Sequence, residues 1–377
     1  MKVKKIFVST LPFLLFSILF ILFALGMMMI FNTTAAEILD TSRDTPLHYT
    51  PMRHLLIALL SLISGFSLSL IEYRTLLQIS PFLFFLSFLA LCLVFVPGIG
   101  KSVNGSYRWL SLFGVSWQPS EFFQLILPLY TTYSLEKNEK ILTSLRPFLS
   151  LLFWLSLPLI AILLEPNNSS VLILGMILLQ LFFISGTRPL FWFLPLVLFV
   201  SMGMLTLSQF PYVSSRIEVF LHPEKDLRGR GHQPYQAKIA AGSGRLFGKG
   251  LGNSLQKFSY LPEAQNDYIA AIFAEEMGFW GIFFLIVLYM GLTYLGAFIS
   301  HHAPHRSGLI LGSSVTFFLS IQAFLNLAVV CGLFPSTGLN LPFFSQGGTN
   351  FLVNSMGVGI LYSIHRERKR KSFFKSA

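Results

Sequence analysis

Residues 241–276 gather the side chains with the most to offer chemically. The segment 241–252, running from Ala241 through Gly242, Gly244, Arg245, Gly248, Lys249 and Gly250 to Gly252, is glycine-rich and basic. A turn of this kind presents several backbone N–H groups to an anion, and Arg245, Lys249 and the nearby Lys257 supply charge that suits a diphosphate. It is not a Walker loop, because the glycine spacing fails and Gly250 stands where Ser or Thr is needed. No βαβ unit surrounds it, so it is not a dinucleotide turn either. The plain alternative is a flexible loop made basic for solubility.

Three carboxylates follow, Asp267, Glu275 and Glu276, flanking an apolar stretch. Helical spacing puts Asp267 about two turns from Glu275, near one face. A carboxylate in a partly desolvated site has a raised pKa and can act as a general base. Glu275 and Glu276 also fit a helix start with acidic residues in its first turn, which leaves Asp267 as the catalytic candidate. Further upstream, Glu121 follows Pro119 and Ser120, with Ser120 expected as the N-cap. The helix dipole alone would explain Glu121, yet an acidic residue at the edge of an apolar run is a functional candidate by default. Arg108 and Trp109 pair a cation with an aromatic ring, which suits a sugar–phosphate lipid or an interfacial anchor. His301, His302 and His305 lack acidic partners, and Cys92 and Cys331 lie inside apolar runs without zinc-type spacing, so neither a structural metal nor redox chemistry is expected.

The elements that hold these residues must sit in a bilayer. The 377 residues are 54% hydrophobic and 11% charged, with 40 phenylalanines and a mean hydropathy of +0.67. Soluble domains run to about 25% charged residues. A soluble globule, disorder and a fibrous repeat are excluded, and an all-α polytopic membrane domain spanning 1–377 is expected. Apolar stretches mark ten spans, at 6–31, 54–71, 76–96, 121–135, 147–164, 169–186, 189–208, 279–300, 308–334 and 348–364. The net charge of +11 is read through topology. With both termini inside, the short inside segments hold fifteen lysines and arginines and the short outside loops hold four. The long segment 209–278, between the seventh and eighth spans, is then extracytoplasmic and carries the active site. Long polar loops on membrane scaffolds are usually functional.

On these residues the chain resembles a known family. Trp109-Leu110 followed by Gln118-Pro119-Ser120-Glu121-Phe122 is similar to the family's R-W-L and Q-P-S-E-F motifs. Gly250 to Ser254, Gln256-Lys257 and Tyr260-Leu261-Pro262-Glu263-Ala264, followed by Asp267 and Glu275-Glu276, resemble its central signature. Gly332-Leu333, Pro335, Thr337-Gly338, Leu341-Pro342-Phe343 and Gly347-Gly348 resemble its C-terminal one. This is the SEDS family (shape, elongation, division and sporulation), with wording closer to its FtsW division branch than to RodA. Four motifs depart from it. E-P-D-L-G-T is here Glu165-Pro166-Asn167-Asn168-Ser169-Ser170, and H-T-D is Gln265-Asn266-Asp267. G-S-G-G is Gly242-Ser243-Gly244-Arg245, and S-Y-G-G-S-S is Ser345-Gln346-Gly347-Gly348-Thr349-Asn350.

The resemblance implies ten membrane helices in the bacterial inner membrane. It implies a peptidoglycan glycosyltransferase that polymerises lipid II, acting at the division site with a class B penicillin-binding protein (the transpeptidase) and other divisome proteins. It carries the family's essential aspartate onto Asp267 and polar positions onto Arg108, Glu121, Arg216 and Lys257; Trp109, Glu263 and Glu276 lie within its motifs. The mechanism expected is attack by an acceptor sugar hydroxyl with inversion at the anomeric carbon and Asp267 as general base. Arg245, Lys249, Arg216 or a divalent cation such as Mg2+ would neutralise the leaving diphosphate. The rival readings are a lipid II flippase and a non-catalytic scaffold that recruits the transpeptidase. The flippase reading needs polar residues across the spans, which hold little beyond Asn326, a few glutamines and serines.

Overall fold

A computed structural model describes residues 2–41, 46, 48–103, 106–112, 115–209, 218–222, 229, 231–258, 261 and 264–374. The chain is a mostly helical, multi-pass membrane protein. Each of the ten apolar stretches falls on a helix: Lys2–Thr41, Tyr49–Leu70, Tyr73–Leu93, Pro119–Lys137, Leu145–Leu164, Asn168–Ser185, Pro189–Gln209, Ile269–His301, Arg306–Val330 and Gly348–Phe374. Among the described residues, seven helices are long and apolar enough to cross a bilayer. Pro119–Lys137 and Gly348–Phe374 fall outside that set; each carries charged residues, Glu121, Glu136 and Lys137 in the first and Arg366 to Lys371 in the second. The apolar part of Pro189–Gln209 described as such is the shorter Pro189–Leu198. A further helix, His232–Ser243, lies in the long loop.

By its contacts the chain forms two compact units. The first comprises Met1–Leu59, Gly203–Leu295 and Leu319–Gly347, and the second Leu60–Met202, Gly296–Phe318 and Gly348–Ala377.

The second unit contains an element that the sequence pattern did not announce, a three-stranded antiparallel sheet in the order β1 (Gly100–Val103), β2 (Ser106–Leu112), β3 (Val115–Trp117). Trp109 faces Lys101 across the first pair, and Leu110 faces Trp117 across the second. Pro119 opens the next helix at its first position, where a missing N–H is no loss. The N-cap is therefore Gln118, and Ser120 is inside the helix rather than capping it. Helices here approach closely through small residues, as membrane helices do: a Cβ on Gly359 would lie 2.1 Å from the carbonyl oxygen of Gly65. Phe148 packs on Phe182, and Phe84 on Phe123 and Tyr130.

In the first unit, Gly26 lies against the backbone of Phe344, and the Tyr289 hydroxyl donates to the Pro342 carbonyl at 2.7 Å. Some buried hydroxyls on the helices are satisfied locally, Thr33 on the Met29 carbonyl in this unit and Thr131 on the Leu127 carbonyl in the other. The helix Ile269–His301 breaks at Gly278, whose φ of 66° and ψ of −163° are not helical. The apolar run after that break begins at Phe279, the start expected for the eighth span.

Candidate functional site

The glycine-rich segment follows the helix His232–Ser243 and lies against the stretch 274–280. Phe279 N donates to Arg245 O at 2.8 Å and Trp280 N to Leu246 O at 3.3 Å, while Lys249 N and Gly250 N donate to Glu275 O and Glu276 O at 3.0 Å each. The backbones are so close that side chains are excluded. A Cβ on Gly244 would lie 2.0 Å from Ala274 O, and one on Gly248 2.1 Å from Glu276 O. Gly248 also has a φ of 78°, a left-handed conformation that glycine adopts without strain.

The segment does surround anions, and they belong to the chain itself. Glu275 is fully buried. It accepts from Lys249 Nζ at 2.6 Å, from Ser243 Oγ at 3.3 Å, from Ser254 Oγ, and from the backbone N–H groups of Leu255 and Gln256. Glu276, equally buried, accepts from Asn32 Nδ2 at 2.6 Å, Lys257 Nζ at 3.2 Å and Ser254 N at 3.3 Å. Lys257 Nζ also donates to Asn32 Oδ1 and Gly252 O. The Lys257 side chain is only 4% exposed and that of Lys249 33%, so the two lysines hold the loop through these pairs. Arg245 remains exposed to solvent or lipid.

Asp267 lies in a turn, two residues before the helix that begins at Ile269, and is half-buried. It does not share a helical face with Glu275, because the helix starts after it. Three ties hold this turn. The Asn326 amide, buried between helices, donates to Asp267 O at 2.9 Å and to Leu339 O at 2.6 Å. Gln346 N donates to Gln265 O at 2.9 Å, and the Gln265 side chain reaches Glu37 on the first helix at 3.1 Å. Gly338, with a φ of 69°, leaves room beside the carboxylate: a Cβ there would sit 3.5 Å from Asp267 Oδ2.

The remaining candidates occupy the second unit. Arg108, on β2, donates through Nε to Glu165 O at 3.1 Å and through Nη2 to Pro166 O at 2.5 Å. Its fork thus holds the turn that replaces the family's E-P-D motif. Trp109 beside it is half-buried. Glu165 is fully buried, and neither of its carboxylate oxygens has a hydrogen-bond partner among the described residues. Burial pushes its carboxyl up to about 8, against the pull of Arg108. Glu121 hydrogen-bonds Asn350, while its Oε2 has no hydrogen-bond partner among the described residues. Asn167 reaches Ser120 Oγ at 3.0 Å, so it ties the turn to the helix carrying Glu121.

Arg216 and Glu263 lie outside the described residues. Asn32, Asn326, Ser254 and Glu37 were not singled out as site residues from the sequence. Their partners are up to about 240 positions away, so no local pattern announces them. Among the described residues no group of three or more His, Cys, Asp or Glu converges as a metal-ligand set.

Residues 12–370 match the cell cycle protein family of FtsW, RodA and SpoVE. Over 347 residues the chain is 34% identical to the probable peptidoglycan glycosyltransferase FtsW of Trichlorobacter lovleyi, covering 90% of this chain and 89% of the relative. It is also 34% identical to the stage V sporulation protein E of Bacillus subtilis over 364 residues, 94% of this chain and 96% of that one. A chain from a solved structure on the coordination of polymerization and crosslinking by a peptidoglycan synthase complex superposes with a TM-score of 0.73 at 25% identity, covering 96% and 98% of the two chains. The crystal structure of the rod shape determining protein RodA of Thermus thermophilus superposes with a TM-score of 0.68 at 24% identity over 95% and 96%, a likeness of fold.

Proposed function

This chain belongs to the cell cycle protein family of FtsW, RodA and SpoVE, and from that membership we propose that it is a peptidoglycan glycosyltransferase that extends glycan strands from lipid II. The observation that carries the mechanism is Asp267, half-buried on a turn fixed from three directions, with glycine rather than a side chain beside its carboxylate. In the proposed step an acceptor sugar hydroxyl attacks the anomeric carbon of the growing strand. The new oxygen–carbon bond forms as the bond to the lipid diphosphate breaks on the opposite face, so the centre inverts. Asp267 takes the hydroxyl proton, a contribution of typically ~10²–10⁴-fold for general base catalysis.

The basic residues divide by their surroundings. Lys257 and Glu276 act on the loop rather than on the substrate, because each is buried against the other. Arg245 is exposed, which leaves it to face the diphosphate, with Arg216 as a further candidate. Lys249 is partly exposed but engaged by Glu275, so it would reach the diphosphate only from within that pair. A divalent cation such as Mg2+, held by the substrate phosphates with one or two protein carboxylates, would supply charge of the same kind. In the second unit, Glu121 Oε2 has no hydrogen-bond partner among the described residues and is suited to accept from a substrate hydroxyl, while Arg108 holds its turn and Trp109 offers a ring face. A class B penicillin-binding protein, at the division site with other divisome proteins, is the partner this function calls for. The basic asymmetry supports cytoplasmic termini and an extracytoplasmic 209–278. An impermeant thiol reagent on intact cells should then label a cysteine placed at 225 and not one at 372; the opposite pattern inverts the topology.

The test of the catalytic reading is Asp267→Asn, which keeps size and hydrogen bonding and removes the proton acceptor. The purified variant should bind a class B partner normally yet polymerise lipid II at least ~10²-fold more slowly. Full activity removes Asp267 from the mechanism. Equal loss of activity and partner binding favours the scaffold.

A further inference from the structure

The glycine-rich segment carries more than charge. Leu246, Phe247, Leu251 and Leu255 on it are exposed by 57%, 80%, 54% and 64%. A water-facing loop rarely shows so many large apolar side chains in succession. Their place in the fold says what covers them. The backbone bonds from Phe279 and Trp280 set Arg245 and Leu246 level with the first residues of the apolar run that follows the Gly278 break. On that run Phe279, Trp280, Phe283 and Phe284 are themselves exposed. The helix bearing them is one of those long and apolar enough to cross a bilayer. The apolar surface of the loop is therefore continuous with a lipid-facing surface.

Most of the loop's backbone N–H groups also meet the condition that such a position imposes. Backbone groups away from water must be satisfied internally. The N–H groups of Gly248, Lys249, Gly250, Asn253, Ser254, Leu255, Gln256 and Phe258 all donate within the protein. Cations that flank such a surface extend to the headgroup phosphates, and Arg245 adjoins Leu246 and Phe247 in the chain.

We infer that the apolar side chains of Leu246, Phe247, Leu251 and Leu255 are seated in the bilayer at the boundary of headgroups and acyl chains, with Phe247 inserted furthest and Asn253 on the aqueous side. The occupant of this surface is membrane lipid, whatever reaction Asp267 performs. The glycines that lash the loop to residues 274–280 serve to hold an apolar tip at the level of the span.

The test uses the full chain with Cys92 and Cys331 replaced by Ala, reconstituted in nanodiscs of phosphatidylcholine and phosphatidylglycerol. A single cysteine at 247 or, separately, at the exposed Asn253 is nitroxide-labelled. Collision with oxygen, which partitions into the bilayer, is compared with collision with water-soluble nickel–EDDA. Oxygen should relax the label at 247 severalfold more than nickel does, with the order reversed at 253. A label at 247 as open to nickel as that at 253 overturns the inference. So does one shielded from both, which would mean that protein covers the site. A label at 251 gives the same reading if substitution at 247 disturbs the fold. The readout needs no catalysis, so it stands or fails apart from the role of Asp267.

Discussion

Glu275, in the first unit, is met by five donors, two of them hydroxyls, two backbone N–H groups and one an ammonium. Glu165, in the second, is as deeply buried, and no hydrogen bond reaches either of its oxygens among the described residues. The nearby guanidinium of Arg108 goes to the carbonyl oxygens of Glu165 and Pro166 instead. The first environment is built to keep a carboxylate charged. The second disfavours charge, which is why burial lifts the Glu165 carboxyl to about 8. Equal burial thus conceals opposite environments: one carboxylate is fastened by donors, while the other meets none among the described residues.

The largest effect expected from breaking this contrast is at the most buried fastening. Lys257→Met leaves Glu276 charged and unpaired inside the protein, a change that typically costs about 3–5 kcal/mol. The midpoint of thermal unfolding in detergent should fall accordingly, and the loop should become sensitive to protease. A variant as heat-resistant as the wild type would mean that Glu276 is neutralised by another group.

A matched pair of isosteric changes sharpens the comparison at smaller amplitude. Glu275→Gln replaces an acceptor by a donor facing Lys249 and should cost about 1–3 kcal/mol. Glu165→Gln should cost nothing measurable, and the sign of its pH dependence follows from its raised carboxyl. Glu165 holds its proton more tightly in the folded than in the unfolded chain, so wild-type stability should decline as pH rises from about 4.5 to about 8 and level off above. The variant should lack that component of the decline. Equal losses in the two variants, or a pH profile unchanged by Glu165→Gln, would erase the distinction.

Much of the fold was legible before any coordinates. Apolar runs announce spans because length and hydropathy suffice, and the break at Gly278 falls where the eighth span was expected to begin. The sheet at 100–117 was not announced, since its strands are short and their polar–apolar alternation is weak. At the site, Asp267 stood out by type and position, whereas its supports did not. Asn326 and Glu37 come from distant helices and hold the turn through a backbone carbonyl and the Gln265 amide. The internal partners of the glycine-rich segment were hidden for a physical reason. Glycines beside lysines suggest an external anion, but here they admit a neighbouring backbone whose carboxylates complete the site, and that neighbour lies some thirty residues further on.

The order of those partners along the chain has a consequence in time. Lys249 precedes Glu275 by 26 positions and Lys257 precedes Glu276 by 19. At synthesis rates of about 5–20 residues per second, each lysine waits on the order of seconds for its counter-charge. Asn32, which bridges Lys257 and Glu276, has by then long been made. The loop is therefore born open and fastens only when Glu275 and Glu276 arrive behind it. Its closure is a late step of assembly, set by the stretch of chain that leads into the following span.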